Sequence, residues 1–141
     1  MKGLIDVLKN IAPVYEERAP DPNLGVVPSA YFVFSLSGVD WAPEESGSKG
    51  GALLRFEVYY VFFPPEGKSI ISATTNTVRN VCNELFANYP LKDEDGREYI
   101  FYGLRTEDLT AQFLSQGFIG PLQRVILFVI ELLEPSLFQA I

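Results

Sequence analysis

The most regular alternation of apolar residues spans residues 53–63, between a Gly-Gly pair and a Pro-Pro pair. A strand places successive side chains on opposite faces. We therefore predict a central strand that packs a core along one whole face and is covered on the other only towards its C-terminal end. The first face would carry Leu54, Phe56, Val58, Tyr60 and Phe62, and the second Arg55, Glu57, Tyr59, Val61 and Phe63.

Helical periodicity appears in two stretches. Near the start, an apolar stripe predicts a short helix that ends before Pro13 and is formed by Leu4, Ile5, Leu8 and Ile11. A longer helix is predicted from a Ser69 or Ser72 cap to Tyr89-Pro90, and we expect it to lie on the sheet. Its stripe consists of Ile71, Thr74, Thr75, Val78, Val81, Cys82, Leu85 and Phe86.

Four further segments are typical of strands. Residues 14–19 would form a short strand, residues 30–37 one that ends at Gly38, and residues 98–103 one that ends at Gly103. Residues 123–134 are apolar on both faces, which predicts a strand covered on both sides, in the sheet centre or beneath a partner chain. Residues 106–109 resemble a helix start, but the pattern predicts no single structure for residues 109–118.

Together these elements predict one α+β domain over residues 1–141. Strands joined directly favour antiparallel pairing. We expect a two-layer fold, with a mostly antiparallel sheet of four to five strands and helices packed on one face of it.

Two polar segments separate the predicted elements. Residues 43–50 are rich in Gly and Ser, and Trp41 would stand at the start of that loop. Residues 91–97 contain an Asp-Gly turn. The acidic residues around it do not match a calcium loop, because Leu91 and Tyr102 would occupy the first and last ligand positions.

Composition narrows the possible functions. The chain has a net charge of -7 and no cluster of Lys and Arg, so we expect no sequence-specific nucleic acid partner. It has no histidine and one cysteine, Cys82, which lies on a helical apolar stripe. We therefore expect no enzyme activity, no cofactor and no metal site. We see no signal peptide and no apolar run long enough for a bilayer, which predicts a soluble intracellular protein without a membrane partner.

Two predicted strands, residues 53–63 and 123–134, carry apolar residues on both faces, while the predicted helices cover one face. Uncovered apolar surface would indicate contact with other chains. The alternative is that the first helix and the tail with Leu137, Phe138 and Ile141 cover the second face within one chain. A third hypothesis, a small-ligand site or a carboxylate-only enzyme, rests on the many Asp, Glu and Tyr residues.

The order of the segments along the chain resembles that of a known family of proteins. An N-terminal helix at residues 4–8 precedes the sequence of residues 14–20, a Pro-rich approach to residues 31–34 and the aromatic strand around residues 55–59. The amphipathic helix of residues 69–88 and the late strand of residues 125–133 complete the order. It resembles the tail-terminator and minor tail proteins of long-tailed bacteriophages, and residues 104–122 lie outside the resemblance.

That resemblance implies a structural virion protein without catalytic residues. It would form a homo-oligomeric ring, commonly a hexamer, that stops tail-tube growth and joins the tail to the head. Its partners would be the tail-tube and head-completion proteins, and it would be assembled in the host cytoplasm into the virion tail. Another head-tail connector or a tail-tube component is the alternative. Candidate interface residues are Trp41, Tyr59, Val61, Phe63, Asp93, Glu94, Asp95, Leu137 and Phe138.

Overall fold

Two strands that are far apart in the sequence form the centre of the structure. The computed structural model describes residues 1–42, 51–64, 66–67 and 69–134. Its helices are α1 (Lys2–Lys9), α2 (Ile70–Ala87) and α3 (Thr110–Ser115). Its strands are β1 (Val14–Glu16), β2 (Tyr31–Ala42), β3 (Gly51–Phe62), β4 (Leu91–Lys92), β5 (Glu98–Asp108) and β6 (Arg124–Glu134). β3 and β6 are the central pair, with Val58 opposite Phe128.

All six strands belong to one mixed sheet with the order β1-β2-β3-β6-β5-β4. β1 runs parallel to β2, and every other neighbouring pair is antiparallel. The α+β class and the mainly antiparallel pairing are confirmed. The expected number of four to five strands is too low. The Asp-Gly turn is tight enough for residues 91–92, expected in a loop, to pair with residues 98–99 as β4.

The larger core lies between the sheet and the helices α1 and α2. The continuous apolar row predicted for β3 faces these helices, and β6 contributes a second row on the same face. Leu4 and Leu8 of α1 and Leu85 of α2 are fully buried against the two rows. Both predicted helices are therefore confirmed as packing elements, and apolar burial against the sheet stabilises them.

α2 begins where the sequence predicts but is covered less completely. The Ser69 hydroxyl caps it by accepting a hydrogen bond from the Ser72 amide at 3.1 Å. Of the predicted stripe, Val81 and Leu85 are buried, whereas the other members are half-buried or exposed. Ile71 and Phe86, both predicted to face the sheet, are 81% and 57% exposed.

A second, smaller core occupies the opposite face of the sheet. Tyr31, Val61 and Val125 form its buried centre, and Phe113 of α3 packs against them. The helices therefore do not all pack on one face, as we expected. The unequal alternation of β3 is confirmed, since Arg55 near its start is exposed whereas Val61 near its end is 4% exposed.

β2 continues beyond the glycine that we expected to end it. Its register with β3 shifts between Leu36 and Gly38, and the strand then runs on to Ala42. Such a shift marks a β-bulge, an extra residue in one strand, and glycine adopts the required backbone readily. Trp41 is therefore not a loop residue: it lies in β2, opposite Ala52.

β5 shows the same departure from the prediction. Its register with β6 shifts between Phe101 and Gly103, and pairing continues to Asp108. Residues 106–108, expected to start a helix, belong to this strand because they pair with β6. α3 begins instead at Thr110, whose amide donates to the Asp108 carboxylate at 2.9 Å.

α1 lies so close to β4 that one position admits only glycine. A Cβ at Gly3 would collide with the carbonyl oxygen of Lys92 and lie 2.7 Å from its amide nitrogen. Both are backbone atoms, which cannot rotate away as a flexible side chain could. Gly3 therefore fixes the separation between the helix and the edge of the sheet.

β6 is covered on both faces by its own chain. Residues 125–130 are all buried, including Leu127 and Val129 on the face opposite α1 and α2. The expectation that this strand carries more apolar surface than one chain covers is therefore wrong. The C-terminal tail, which was a possible cover for the second face of the sheet, lies outside the described residues. No helix among the described residues is long and apolar enough to cross a membrane.

Candidate interaction surfaces

Exposed aromatic side chains lie together between α2 and β5. Phe86 and Tyr89, at the end of α2, pack against Phe101 of β5 with ring centroids 5.4 and 5.5 Å apart. They nevertheless remain 57% and 46% exposed. We call Phe86, Tyr89 and Phe101 the aromatic patch. Aromatic residues are enriched in protein interfaces, so this cluster is a candidate contact surface.

Beside the aromatic patch, one edge of the β5 backbone is left unpaired by the described strands. β4 pairs only with residues 98–99, and no described strand pairs on that side with residues 100–108. A long unpaired edge presents N–H and C=O groups to which another strand can bind. Tyr102, at the bulge in this edge, is 67% exposed. The edge and the patch together form one continuous candidate surface.

An apolar groove lies on the opposite face of the sheet, next to α3. It has a volume of about 320 Å³, and every described side chain that lines it is apolar or a tyrosine. Strand residues line one side, and α3 with the loop after it lines the other. Phe118 stands at its rim and is 69% exposed. The principal lining residues are Tyr31, Val33, Tyr59, Val61, Phe113 and Phe118.

The groove bears on the small-ligand hypothesis only in part. That hypothesis requires a dry aromatic pocket with two converging carboxylates. The aromatic lining is there, but the described residues bring no carboxylate into the lining. Burial, and then the charge of Glu57, raise the pKa of Tyr59. Its hydroxyl is therefore neutral at physiological pH and suits an apolar occupant.

Two ion pairs involve residues of β6, Arg55–Glu131 on the face that carries the groove and Asp108–Arg124 on the face of α2. Arg55 of β3 lies opposite Glu131 of β6, and their side chains are 3.3 Å apart. Asp108 pairs with Arg124. Desolvation raises the pKa of Asp108, but hydrogen bonds from Thr110 and the Arg124 charge outweigh it and hold the pKa below its usual value. The Asp108 carboxylate is thus held ionised by Thr110 and Arg124.

The acidic loop between β4 and β5 is organised by one of its own carboxylates. Asp93 accepts hydrogen bonds from the amides of Asp95 and Arg97, both at 2.9 Å, and from the Tyr99 hydroxyl at 3.0 Å. Desolvation opposes ionisation, but these hydrogen bonds lower the pKa of Asp93. Burial, and then the bond to Asp93, raise the pKa of Tyr99 above its usual 10.0.

We expect Tyr99→Phe to change how stability depends on pH at both extremes. The lowered pKa of Asp93 contributes stability that is lost as pH falls through that folded pKa. Losing the hydroxyl brings the folded pKa of Asp93 closer to the unfolded one, so this acid loss is expected to shrink in the variant. The raised pKa of Tyr99 means that stability falls as pH rises above 10.0, and this loss is expected to shrink in the variant.

Urea unfolding midpoints between about pH 2 and pH 11 measure both effects. Tyr102→Phe is the matched control, because that ring is 67% exposed. Parallel curves for wild type and Tyr99→Phe would contradict the linkage between the two groups.

Of the three interface residues predicted on or next to β3, two line the groove and one lies outside it. Tyr59 lies in the groove, 5.8 Å from Phe113 between ring centroids. Val61 also lines it, but at 4% exposure it offers little surface to a neighbour. Phe63, just after β3, is 49% exposed.

The other predicted interface residues lie elsewhere. Glu94 and Asp95 are exposed in the acidic loop, whereas the Asp93 carboxylate accepts hydrogen bonds within that loop. The loop adjoins the end of β6, where Arg97 pairs with Glu134 at 3.2 Å, so it is remote from the groove. The side chain of Trp41, and all of Leu137 and Phe138, lie outside the described residues.

Seven aromatic residues of these surfaces were not among the predicted interface residues: Tyr31, Phe86, Tyr89, Phe101, Tyr102, Phe113 and Phe118. Phe113 and Phe118 fall in a stretch with no clear period, although two phenylalanines around a Gly117 turn were a usable signal. Phe86 was placed on a helical stripe, and Tyr89 was treated only as a helix end. An aromatic pair at the end of a helix, followed by an aromatic strand, was the signal for the patch.

Comparisons with known proteins add no family to these observations. No protein-family model matches the chain, and a search of curated proteins returns no match. Within the described ranges, no group of three or more Cys, Asp or Glu side chains is placed to hold a metal ion. The candidate surfaces and the order of the segments are therefore the features that bear on function.

Proposed function

We propose that the chain is a structural subunit of a bacteriophage tail, of the tail-terminator type. In this role, copies form a ring that ends tail-tube growth and joins the tail to the head. The order of its segments resembles that of such proteins. The observation that carries the proposal is the edge of β5 that the described strands leave unpaired beside the aromatic patch.

The proposal gives this surface a physical role. A strand edge and exposed aromatic rings are stabilised when another chain pairs with the edge and covers the rings. The groove near α3 lies on the opposite face of the sheet, so one subunit offers two different apolar surfaces. Two different surfaces suit a head-to-tail contact, which closes into a ring when the rotation between neighbours permits.

The charge of the chain supports the same role. A net charge of -7 disfavours adhesion to DNA phosphates. A ring of acidic subunits could therefore surround a channel through which DNA passes without binding it tightly. The partners that this role requires are further copies of the chain, a tail-tube protein and a head-completion protein.

Oligomeric state and tube binding test the proposal. We expect the purified chain to form a closed oligomer, commonly a hexamer, by native mass spectrometry, or to do so when a tail-tube protein is added. The double substitution Phe86→Ser with Tyr89→Ser is expected to weaken assembly by tenfold or more, since it removes apolar area from the contact. Ile71→Ser is the matched control: it lies on the same helix and is 81% exposed, but it is outside the patch.

A chain that stays monomeric at every concentration and binds no tail-tube protein would overturn the proposal. A different connector or a tube component remains the alternative, because the same contact surface would serve it. The position of the gene distinguishes the two: a terminator gene is expected between head-completion and tube genes.

A further inference from the structure

We propose that the apolar groove beside α3 receives Leu137 and Phe138 from a neighbouring copy of the chain. The inference rests on the proposed function, because it assigns one contact within the assembly. The groove holds about 320 Å³ and is lined by apolar and tyrosine side chains. That volume is at the small end of ligand-binding pockets and suits a few side chains rather than a whole helix.

The sequence outside the described ranges contains one apolar candidate for the groove. Residues 43–50 are polar, and Pro65 and Lys68 are single positions. The segment of residues 135–141 instead carries Leu137 and Phe138 next to each other and Ile141 after them. Adjacent large apolar side chains are what an aromatic-lined groove can remove from water.

The reach of the chain decides which copy supplies these side chains. Tyr59 of the groove lies opposite Leu127, and from there β6 runs away from the groove to Glu134, a distance of about 23 Å. Phe138 follows Glu134 by four residues, so it extends at most about 14 Å from the strand end. A chain therefore cannot place Phe138 in its own groove, whereas a second copy meets no such limit.

This contact is directional. One copy contributes a segment from the far end of β6, and the next contributes a groove near the start of β6. Such a contact joins two different surfaces and repeats from copy to copy, as a closed ring requires. It also gives the rim residue Phe118, 69% exposed in a single chain, a partner in the assembly.

Disulfide trapping tests the contact. Cys82→Ser first removes the one native thiol. Chains with Ile119→Cys, at the groove, are then mixed with chains that carry Phe138→Cys. We expect mild oxidation to give a covalent dimer with one chain of each kind, whereas Ile71→Cys on the opposite face is expected to give none. In a chain with both Ile119→Cys and Phe138→Cys, the link is expected between chains and not within one.

Assembly strength supplies an independent readout. Leu137→Ser with Phe138→Ser is expected to weaken self-association, alone or on the tail-tube protein, by at least about 100-fold, because two large apolar side chains stay in water. Gln139→Ser is the matched control in the same segment and should leave association unchanged. Phe118→Ser on the groove side is expected to weaken association as well.

The outcomes separate the inference from the proposed function. If wild type assembles and the double variant assembles equally, or if the link forms only within one chain, the inference is overturned and the proposed function stands. If Phe118→Ser assembles as wild type does, the groove has another occupant, such as a small apolar molecule, and the inference also falls. A wild-type chain that neither self-associates nor binds a tail-tube protein overturns both.

Discussion

Phe128→Ala is expected to lower the free energy of unfolding by about 3–5 kcal/mol. Phe128 lies in the middle of β6 and is fully buried. It faces the larger core, where Val58 is its cross-strand neighbour. Truncation removes the apolar transfer term and leaves a cavity, because strands on both sides hold the backbone of β6 in place.

Such a loss is a large part of the ~5–15 kcal/mol by which domains of this size are stable. Urea unfolding, monitored by circular dichroism, measures it as a lower midpoint with an unchanged slope. Phe86→Ala is the control, since the same residue type there is 57% exposed. Equal effects at the two positions would contradict the placement of Phe128 in the core.

Gly3→Ala is expected to cost about 1–3 kcal/mol, through overpacking between α1 and β4. Alanine is the better helix former by about 1 kcal/mol, so intrinsic propensity alone would stabilise the variant. Because the added Cβ meets the Lys92 backbone, α1 must instead shift away from the sheet. The sign of the change therefore separates steric contact from helix propensity.

Gly25→Ala provides the matched control for this substitution. A Cβ at Gly25 would meet nothing within 4 Å. We expect that variant to unfold within about 1 kcal/mol of wild type, since only the entropy of the unfolded chain changes. If Gly3→Ala were as stable as Gly25→Ala or more stable, the close approach of α1 to β4 would be wrong.

The elements with strong periodicity could be predicted from the sequence, because local pattern and tertiary environment agree there. The two faces of β3 and the strand character of β6 follow from side-chain spacing, and the sequence narrowed the cap of α2 to Ser69 or Ser72, of which the structure has Ser69. Glycine misled the prediction at Gly38 and Gly103. A bulge and a strand end use the same residue type, and only the partner strand decides between them.

The candidate surfaces were less predictable for a related reason. The exposure of Phe86, next to the fully buried Leu85, and the burial of Val129 depend on the tertiary packing around each residue, which residue spacing does not encode. α3 is a helix of six residues, too short to show a period, yet it covers one end of the second face. Its presence changes which aromatic residues form a groove.

The position of β6 between β3 and β5 has a consequence for synthesis. While the nascent chain still lacks residues 124–134, β3 and β5 each have one strand edge without the neighbour, β6, that pairs with both of them in the folded protein. Folding cannot be completed on the ribosome until this late strand has emerged, and the pairing it then makes with β3 is strongly non-local. Translation that stalls before residue 124 would release a fragment with open strand edges, a species prone to aggregate and in need of chaperones.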